Sequence, residues 1–344
     1  MKKILAFALF GLMSINAFAA DKFRVAWSHY TGWEPWGYAA DKGIVKKWAD
    51  KYGIEIEVTL INDYIESINL YTAGQFDAVT LTNMDALTIP AVGGVDSTAI
   101  IVGDFSNGND GLVAKKANSI KELKDKKIRL VMLSVSHYML SRALDMNGMK
   151  EKDVKLVNTS DADIASIFIS EKDGAAVTWN PPLQQARNAK GAKLLFDSSK
   201  IPGEIIDMML VKTDASDKLK MALTGAWYET MQIMSSKGKQ RDEAIEYMAK
   251  LSGATVPEFE AQLKTTAMLY SANKAVGFTK SADLPKTMSM VRDFSFDNGL
   301  YGDGASSPDF VGIEFSDKTV LGDKNNIKLR FDATYMQMAA EGKL

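Results

Sequence analysis

Apolar, β-rich runs alternate with helical patterns from Phe23 to about Thr213. Such alternation is typical of mainly parallel sheets with helices on both faces, so the sequence predicts an α/β fold. The predicted strands are Phe23–Ser28, Ile54–Ile61, Ala78–Thr82, Thr98–Asp104, Gly111–Lys116, Lys127–Met132, Val154–Ser160, Ala175–Trp179, Lys193–Asp197 and Met208–Thr213. The predicted helices include Trp36–Lys51, Tyr64–Ala73, Asp85–Val92, Ser136–Met146, Lys218–Ser236, Arg241–Leu251, Val256–Thr266 and Leu284–Gly299, followed by a short element near Leu329–Met338.

Two turn-rich breaks interrupt this pattern. Ser106–Gly111 lies between two predicted strands, and Ile201–Glu204 precedes the strand Met208–Thr213. We interpret the breaks as two crossings between lobes, so that one lobe is an insertion in the other. The predicted lobes are residues 20–105 plus 212–344 for the first and 106–211 for the second.

The first nineteen residues have the pattern of a secretory signal peptide. Lys2 and Lys3 precede the apolar run Ile4–Met13, and Ala17-Phe18-Ala19 supplies small residues before a cut at Ala20. The run is shorter than the roughly 20 residues that cross a bilayer as a helix, which favours a cleaved peptide over an uncleaved anchor. We therefore expect residues 1–19 to be removed and the mature protein to be in the periplasm.

Composition narrows the class further. The chain has no cysteine, which excludes disulfides, thiol nucleophiles, thiolate metal sites and a lipidated N-terminal Cys, and favours a freely diffusing protein. The net charge of -2 gives no reason to expect nucleic acid or an anionic membrane surface as a partner. The length after the signal peptide suits two domains of ordinary size.

Ligands of open parallel sheets bind outside the carboxyl ends of the strands, and two such sheets facing each other would form a cleft there. The loop after the first strand is rich in large aromatics, which hold flat ligands by stacking or cations by attraction to the ring face. The alternative is that these rings anchor the helix that follows. The aromatic candidates for ligand binding are Trp27, Tyr30, Trp33 and Trp36.

Polar candidates follow the other predicted strands. In the second lobe a helix start offers exposed N–H groups to anions or carbonyl oxygens, and its serines can cap the helix as well. Asp63 and Asn83 suit helix capping as much as ligand contact. The polar candidates, together with one further aromatic, are Asp63, Asn83, Asp85, Ser134, Ser136, His137, Trp179, Asn180, Glu204 and Asp207.

Charge in these loops gives a clue to the ligand. The segments 27–36, 62–66, 82–85, 133–138, 159–163, 177–182 and 203–207 contain eight carboxylates and no Lys or Arg. A site for an anion ordinarily includes Arg or Lys, because charge-assisted hydrogen bonds are the strong ones. The pattern favours a neutral or cationic ligand, although several of the acids can instead cap helices on a solvated face.

These segments resemble the nitrate/sulfonate/taurine-type class of periplasmic binding proteins. Within that class the chain is most similar to the branch named for its occurrence beside urea carboxylase. The likeness extends almost to Leu344 and includes Val25–Trp27, Gly32–Ala40, Gly74–Ala78, Thr82–Leu87, Val177–Pro181, Gly203–Asp207 and Leu223–Thr230.

The resemblance implies a type II periplasmic-binding-protein fold, with two doubly wound lobes joined by two hinge strands and the ligand held between them. It implies delivery to an ABC permease in the inner membrane that is driven by a cytoplasmic ATPase, and we expect a monomer without a cofactor. In sulfonate-binding relatives the helix-start serines face the anion, which would implicate Ser134 and Ser136. The missing Arg departs from a nitrate, taurine or other sulfonate site, and the branch name suggests urea or guanidine.

Two other classes of function compete with transport. His29 and His137 are the only histidines, and a His near carboxylates can act as a general base in an enzyme. The sequence has no nucleophile elbow, metal-spaced His pair, phosphate loop or dinucleotide fingerprint, so we predict no catalytic and no metal site. A ligand sensor that docks on a receptor kinase would use the same fold.

Overall fold

The computed structural model describes residues 20–344, so the predicted signal peptide at residues 1–19 lies outside the described residues. The strands are β1 (Asp21–Trp27), β2 (Ile54–Leu60), β3 (Ala78–Thr82), β4 (Ser97–Phe105), β5 (Asp110–Lys115), β6 (Lys127–Leu130), β7 (Lys155–Asn158), β8 (Ala175–Trp179), β9 (Ala192–Asp197), β10 (Ile206–Lys212), β11 (Gly312–Glu314), β12 (Val320–Leu321) and β13 (Ile327–Phe331). The helices are α1 (Glu34–Asp41), α2 (Ile44–Tyr52), α3 (Tyr64–Thr72), α4 (Asn83–Ala86), α5 (Val135–Asp145), α6 (Asp161–Ser170), α7 (Pro182–Arg187), α8 (Asp217–Ser235), α9 (Lys239–Leu251), α10 (Val256–Leu263), α11 (Ala272–Thr279), α12 (Asp283–Asp297) and α13 (Thr334–Ala340). In this part of the chain no helix is both long and apolar enough to span a membrane.

The larger of the two sheets has the strand order β12-β11-β13-β4-β10-β3-β1-β2. β1 pairs in parallel with β2 and β3, whereas β10 runs antiparallel between β3 and β4. Every residue of β3 is buried, as expected of a strand covered by helices on both faces. The sheet therefore places the carboxyl ends of β1 and β3 beside the amino end of β10.

The smaller sheet has the order β7-β6-β8-β5-β9. The chain enters it between Phe105 and Asp110 and leaves it between Asp197 and Ile206, at the two turn-rich breaks. The predicted boundary at residue 211 differs from the sheet boundary, because β10 is hydrogen-bonded within the larger sheet. The apolar run Met208–Val211 is buried there between β3 and β4.

The predicted elements differ from the observed ones mainly at glycines and in short strands. The predicted helix Trp36–Lys51 is two helices, because Gly43 has a φ of 72°, a left-handed conformation that ends α1 and starts α2. The strands β11 and β12 were not predicted, since they are too short to give a periodic signal.

The loops of the two sheets meet directly. The Trp179 indole N–H at the end of β8 donates to the His29 carbonyl oxygen, 3.0 Å away, in the loop after β1. The N–H of Val135 at the start of α5 lies 3.3 Å from Asp85 Oδ2, at the end of β3. The strand ends of both sheets thus enclose a common space.

Candidate functional site

A closed cavity of about 10 Å³ lies between these strand ends, with room for the centre of one water-sized sphere. Both sheets contribute to it, and its residues are aromatic or acidic apart from Thr82 and Val135. A wider groove of about 590 Å³ lies between α2, α8 and the C-terminal residues, remote from the strand ends. The remaining residues that line the closed cavity are Tyr30, Trp33, Tyr64, Asp110, Trp179 and Asp207.

Four aromatic rings form a continuous wall of the cavity. The ring centroids of Tyr30 and Trp33 are 5.0 Å apart, and those of Trp33 and Tyr64 are 5.5 Å apart. Trp179 meets Tyr64 edge-on at 5.3 Å and belongs to the smaller sheet. Such ring faces attract a cation and can stack on a flat ligand. The wall is completed only when the two sheets are together.

Asp104 and Asp207 form a pair of carboxyl groups at one end of the cavity. They occupy directly opposite positions on the antiparallel strands β4 and β10. Both are buried, and the Tyr30 hydroxyl donates to Asp104 Oδ1 at 2.9 Å. The Oδ2 atom of each residue is buried without a hydrogen-bond donor among the described residues.

Two further buried carboxyls, Asp85 and Asp110, flank this pair. Asp85 Oδ2 accepts hydrogen bonds from the Tyr64 hydroxyl at 2.6 Å and the Thr82 hydroxyl at 2.9 Å, in addition to the N–H of Val135. Its Oδ1 is buried without a donor in residues 20–344. Asp110 lines the cavity at the start of β5, where its N–H donates to Ser106. The cavity therefore has carboxyl groups from both sheets.

Burial dominates the titration of these four groups. It raises the pKa of Asp110 to about 7 and that of Asp85 to about 6. Burial also raises the pKa of Asp104, and burial followed by the charges of Asp104 and Asp110 raises that of Asp207 well above its usual value. In the described residues, no Lys or Arg is among the largest causes of these shifts. The four carboxyls therefore keep their protons to a higher pH than exposed carboxyls do.

The N-terminus of α5 points at one of these carboxyls. The Ser134 hydroxyl caps the helix by accepting from the Ser136 N–H at 3.1 Å. The N–H of Val135, the first residue of the helix, donates to Asp85. A helix start favours negative charge, so Asp85 occupies the position that an anionic ligand would prefer.

A second groove, of about 240 Å³, lies between loops of the two sheets. Its residues include His29 and Asp161. Burial raises the pKa of Asp161 to about 6. Burial lowers the pKa of His29, but the 2.7 Å contact with the buried carboxyl of Glu34 outweighs this effect and raises it overall.

Gly32 supports the carboxyl pair from behind. A Cβ at this position would overlap Asp104 Oδ2 and would lie 2.6 Å from Tyr30 Cε1 and 2.9 Å from Asp104 Cγ. No side chain fits between them, so glycine lets the loop after β1 approach the carboxyl closely.

Four of the candidates predicted from the sequence line the cavity: Tyr30, Trp33, Trp179 and Asp207. A fifth, Asp85, accepts hydrogen bonds from three of the lining residues. Ser136 and Asn180 are adjacent in sequence to lining residues. Among the described residues, the Oγ atom of Ser136 and the Oδ1 atom of Asn180 are buried without a hydrogen-bond partner. These seven remain candidates for ligand contact.

Two of the tryptophan candidates lie outside this cavity. The Trp27 ring packs against Gly37 of α1 and meets His29 edge-on at 5.6 Å. Trp36 stacks on Trp227 of α8 at 5.3 Å, behind Trp33. Both therefore anchor α1, which was the alternative interpretation of the aromatic loop.

Three polar candidates are engaged elsewhere. The Asn83 side chain donates to the Glu204 carbonyl oxygen and accepts from the Ile206 N–H, so it holds the start of β10. The Glu204 carboxylate accepts two hydrogen bonds from Arg142 at 2.9 Å. His137 accepts from the Leu133 N–H through Nδ1, and its Nε2 lies 2.7 Å from a Glu151 carboxylate oxygen.

Two other candidates are helix caps. Asp63 accepts from the Glu66 N–H at 2.9 Å at the start of α3, and Ser134 caps α5 while its hydroxyl donates to the Val131 carbonyl oxygen. The second Asp63 oxygen accepts from the Ser160 hydroxyl at 3.2 Å, which joins the two sheets. The side chains of Asp63 and Ser134 make these hydrogen bonds, and neither residue lines the cavity.

The sequence candidates omitted Asp104, Asp110, Tyr64 and Thr82. Asp104 was predicted as the last residue of a strand, and Asp110 as part of the first turn-rich break. A usable signal was present, since a carboxyl group that ends the apolar run Thr98–Gly103 needs a buried partner or ligand.

The chain belongs to the NMT1/THI5-like family, whose model matches residues 38–218. It is 28% identical over 153 residues to proteins of Brucella abortus (strain 2308) and Brucella suis biovar 1 (strain 1330) that are described as binding proteins. Each match covers 44% of this chain and 46% of the relative, so the chain spans less than half the length of these curated relatives.

Solved structures share the architecture at low sequence identity. The alkanesulfonate-binding protein of Xanthomonas axonopodis pv. citri, bound to MOPS, has a TM-score of 0.68 at 15% identity and covers 83% of this chain and 96% of its own. The periplasmic aliphatic sulphonate binding protein of Escherichia coli has a TM-score of 0.66 at 17% identity, with 83% and 95% covered. The periplasmic nitrate-binding protein of Synechocystis PCC 6803 has a TM-score of 0.58 at 14% identity, with 94% and 99% covered. The predicted two-lobed periplasmic-binding-protein fold is thereby confirmed.

Proposed function

We propose that this chain is the periplasmic solute-binding component of an ABC uptake system and that it captures a small nitrogen-rich cation, such as guanidinium, between its two sheets. The observation that carries the proposal is the set of four buried carboxyls, two of which line one cavity, without a basic partner in the described residues. Buried charges are costly unless they are paired, and a cationic ligand would pair them.

The lining of the cavity supports a flat ligand with several N–H groups. The volume of about 10 Å³ holds about one water molecule, so a ligand of several atoms enters only when the two sheets move apart. The aromatic wall of Tyr30, Trp33, Tyr64 and Trp179 supplies ring faces, while the carboxyl oxygens without donors accept N–H groups. A planar amidine or amide has both features, and a cationic one gains the stronger, charge-assisted bonds.

The second candidate is an anion such as nitrate, taurine or another sulfonate. The names of the structural relatives favour it, as does the buried Ser136 hydroxyl at the start of α5, which lacks a partner in the described chain. Such a ligand would have to compete with Asp85 for the helix N-terminus and would lie among three other carboxyls. The repulsion makes this the weaker candidate.

We further propose that the ligand is bound without being transformed and is passed to a membrane permease whose ATPase drives import. The curated relatives and the structural relatives are binding proteins by name, which supports binding over catalysis. His29, which pairs with Glu34, lines the separate groove of about 240 Å³, and neither residue lines the cavity. Export through the predicted signal peptide, a monomeric state and the division into two lobes, with β10 assigned to the larger sheet, belong to the same proposal.

A thermal-shift screen tests this function. Guanidinium, urea, small amides, amines, taurine, sulfonates and nitrate are compared at equal ionic strength. A ligand that binds only the folded state stabilises it by RT ln(1 + [L]/Kd), about 2.7 kcal/mol at a hundredfold excess over Kd. We expect a cation to raise Tm most, and stabilisation by anions alone would contradict the proposal.

A further inference from the structure

We propose that the site exchanges a proton for its ligand: Asp104 and Asp207 share one proton in the free protein, and a small cation that enters the cavity displaces this proton to solvent. The inference rests on the proposed function and adds how the site is regulated by pH. It also separates cationic from neutral ligands of the same shape.

The geometry of β4 and β10 brings the two carboxyls together. Asp104 and Asp207 are directly opposite in the antiparallel register, where Cβ atoms are about 4.5–5.5 Å apart. Both carboxyls are buried, and each leaves its Oδ2 without a donor among residues 20–344. Two adjacent carboxylates cannot both ionise in such a place without compensation. One shared proton gives both Oδ2 atoms a hydrogen-bond partner.

The groups around the pair offer no other positive charge. Tyr30 donates to Asp104, Asp110 lies at the start of β5, and Tyr270 is the further titratable group near Asp104. Asp85 contributes negative charge from the end of β3 through its effect on Asp110. In the part of the chain that the structure describes, no Lys, Arg or His forms an ion pair with either member. Burial and the neighbouring carboxyls raise the pKa of Asp207, which agrees with a retained proton.

A cation in the cavity reverses this balance. Asp207 lines the cavity, so a cation bound there competes with the shared proton for the Asp207 carboxyl. When the cation enters, the O–H bond breaks, the electron pair stays on the carboxylate and the proton goes to the buffer. One positive charge replaces another, so the charge of the site is conserved. A neutral molecule such as urea brings no charge and should leave the proton in place.

The test is calorimetric titration of the chain with guanidinium chloride at pH 8, above the pKa of Asp85 and of Asp110, in buffers of different ionisation enthalpy. The slope of the observed enthalpy against buffer enthalpy counts the protons released. We expect about one proton per guanidinium and none per urea, and guanidinium affinity that rises about tenfold per pH unit for each proton released. The infrared spectrum of the free protein should contain a protonated-carboxyl C=O band that guanidinium removes.

Asp207→Asn isolates the pair, because its amide donates to Asp104 without a titrating proton. We expect the proton release and the infrared band to be lost, whereas Asp163→Asn, at an exposed position of α6, should leave both unchanged. If Asp207→Asn does not fold, the wild-type measurements decide alone. Guanidinium that binds with no proton release, or a free protein without the band, would overturn the inference but not the cation-binding function. Failure of guanidinium and of every other small cation to bind would overturn the function.

Discussion

Replacing Gly32 with alanine should damage the ligand site without touching the ligand. The new methyl group would overlap the Asp104 carboxyl and lie 2.6 Å from Tyr30 Cε1. Ordinary carbon contacts are about 3.5–4.0 Å, so the carboxyl and the ring must each move by about 1 Å. The movement would break the hydrogen bond between the Tyr30 hydroxyl and Asp104, which is 2.9 Å long in the native site.

Two energies set the size of the effect. A hydrogen bond to a charged group contributes about 1.5–3 kcal/mol, and forcing an extra methyl group into a packed site costs about 1–3 kcal/mol of folding stability. If the bond to Asp104 is needed to place its carboxyl on the ligand, Gly32→Ala should weaken binding on the order of tenfold to a hundredfold. The free energy of unfolding should fall by the packing cost, and further because the lost hydrogen bond also stabilises the free protein.

Titration calorimetry with guanidinium and chemical denaturation measure the two effects separately. Gly277→Ala is the matched control, because Gly277 lies in α11 with open space at its Cβ position. Alanine there should bind ligand normally and gain up to about 1 kcal/mol of stability from helix propensity. A folded Gly32→Ala protein with wild-type affinity would refute the placement of Asp104 in the site.

Three further predictions concern closure and pH. Trp179→Phe keeps a ring in the aromatic wall but loses the indole N–H bond to the His29 carbonyl oxygen, so it should weaken guanidinium binding by about 1 kcal/mol. Trp27→Phe should leave the guanidinium affinity unchanged. Equal effects of the two substitutions in calorimetry would contradict the assignment of Trp27 to packing. Saturating ligand should lower the radius of gyration in small-angle scattering, because the aromatic wall needs both sheets; an unchanged curve at proven saturation would reject lobe closure. Asp85 and Asp110 have pKa values of about 6 and 7 in the folded protein, against about 4 in the unfolded chain. Protonation of the two carboxyls therefore stabilises the folded protein fully below pH 4, and this stabilisation is lost as the pH rises through 6–7. Calorimetric Tm of the free protein should therefore fall from pH 5 to 8, and less steeply in Asp110→Asn; equal slopes would contradict the burial of Asp110.

Much of the fold could be predicted because its strands are apolar runs bounded by turn residues. Ala78–Thr82 and Met208–Val211 are examples, since burial on both faces makes their residues mostly apolar. The sequence could not indicate that β10 belongs to the larger sheet, because pairing between distant strands has no local signal. It also missed the break at Gly43, where one left-handed residue divides an otherwise continuous helical pattern.

The candidate site could be predicted only in part, because contacts between distant strands have no local signal in the sequence. Tyr30 and Trp179 follow strands, and that position was enough to select them. Trp27 also ends a strand, but the pleat turns its ring toward α1, and the direction of a side chain depends on which face the sheet buries. Asp104 and Asp207 become a pair only through the register of β4 and β10, which the sequence does not contain.

The central claim is that the cavity between the sheets binds a small cation. A crystal structure of the complex with guanidinium tests it most directly. We expect the cation against the faces of Trp33, Tyr64 or Trp179, with N–H groups within about 3.2 Å of oxygens of Asp207 and its neighbouring carboxyls. An anion bound instead at the N-terminus of α5, with Asp85 displaced from the Val135 N–H, would contradict the claim.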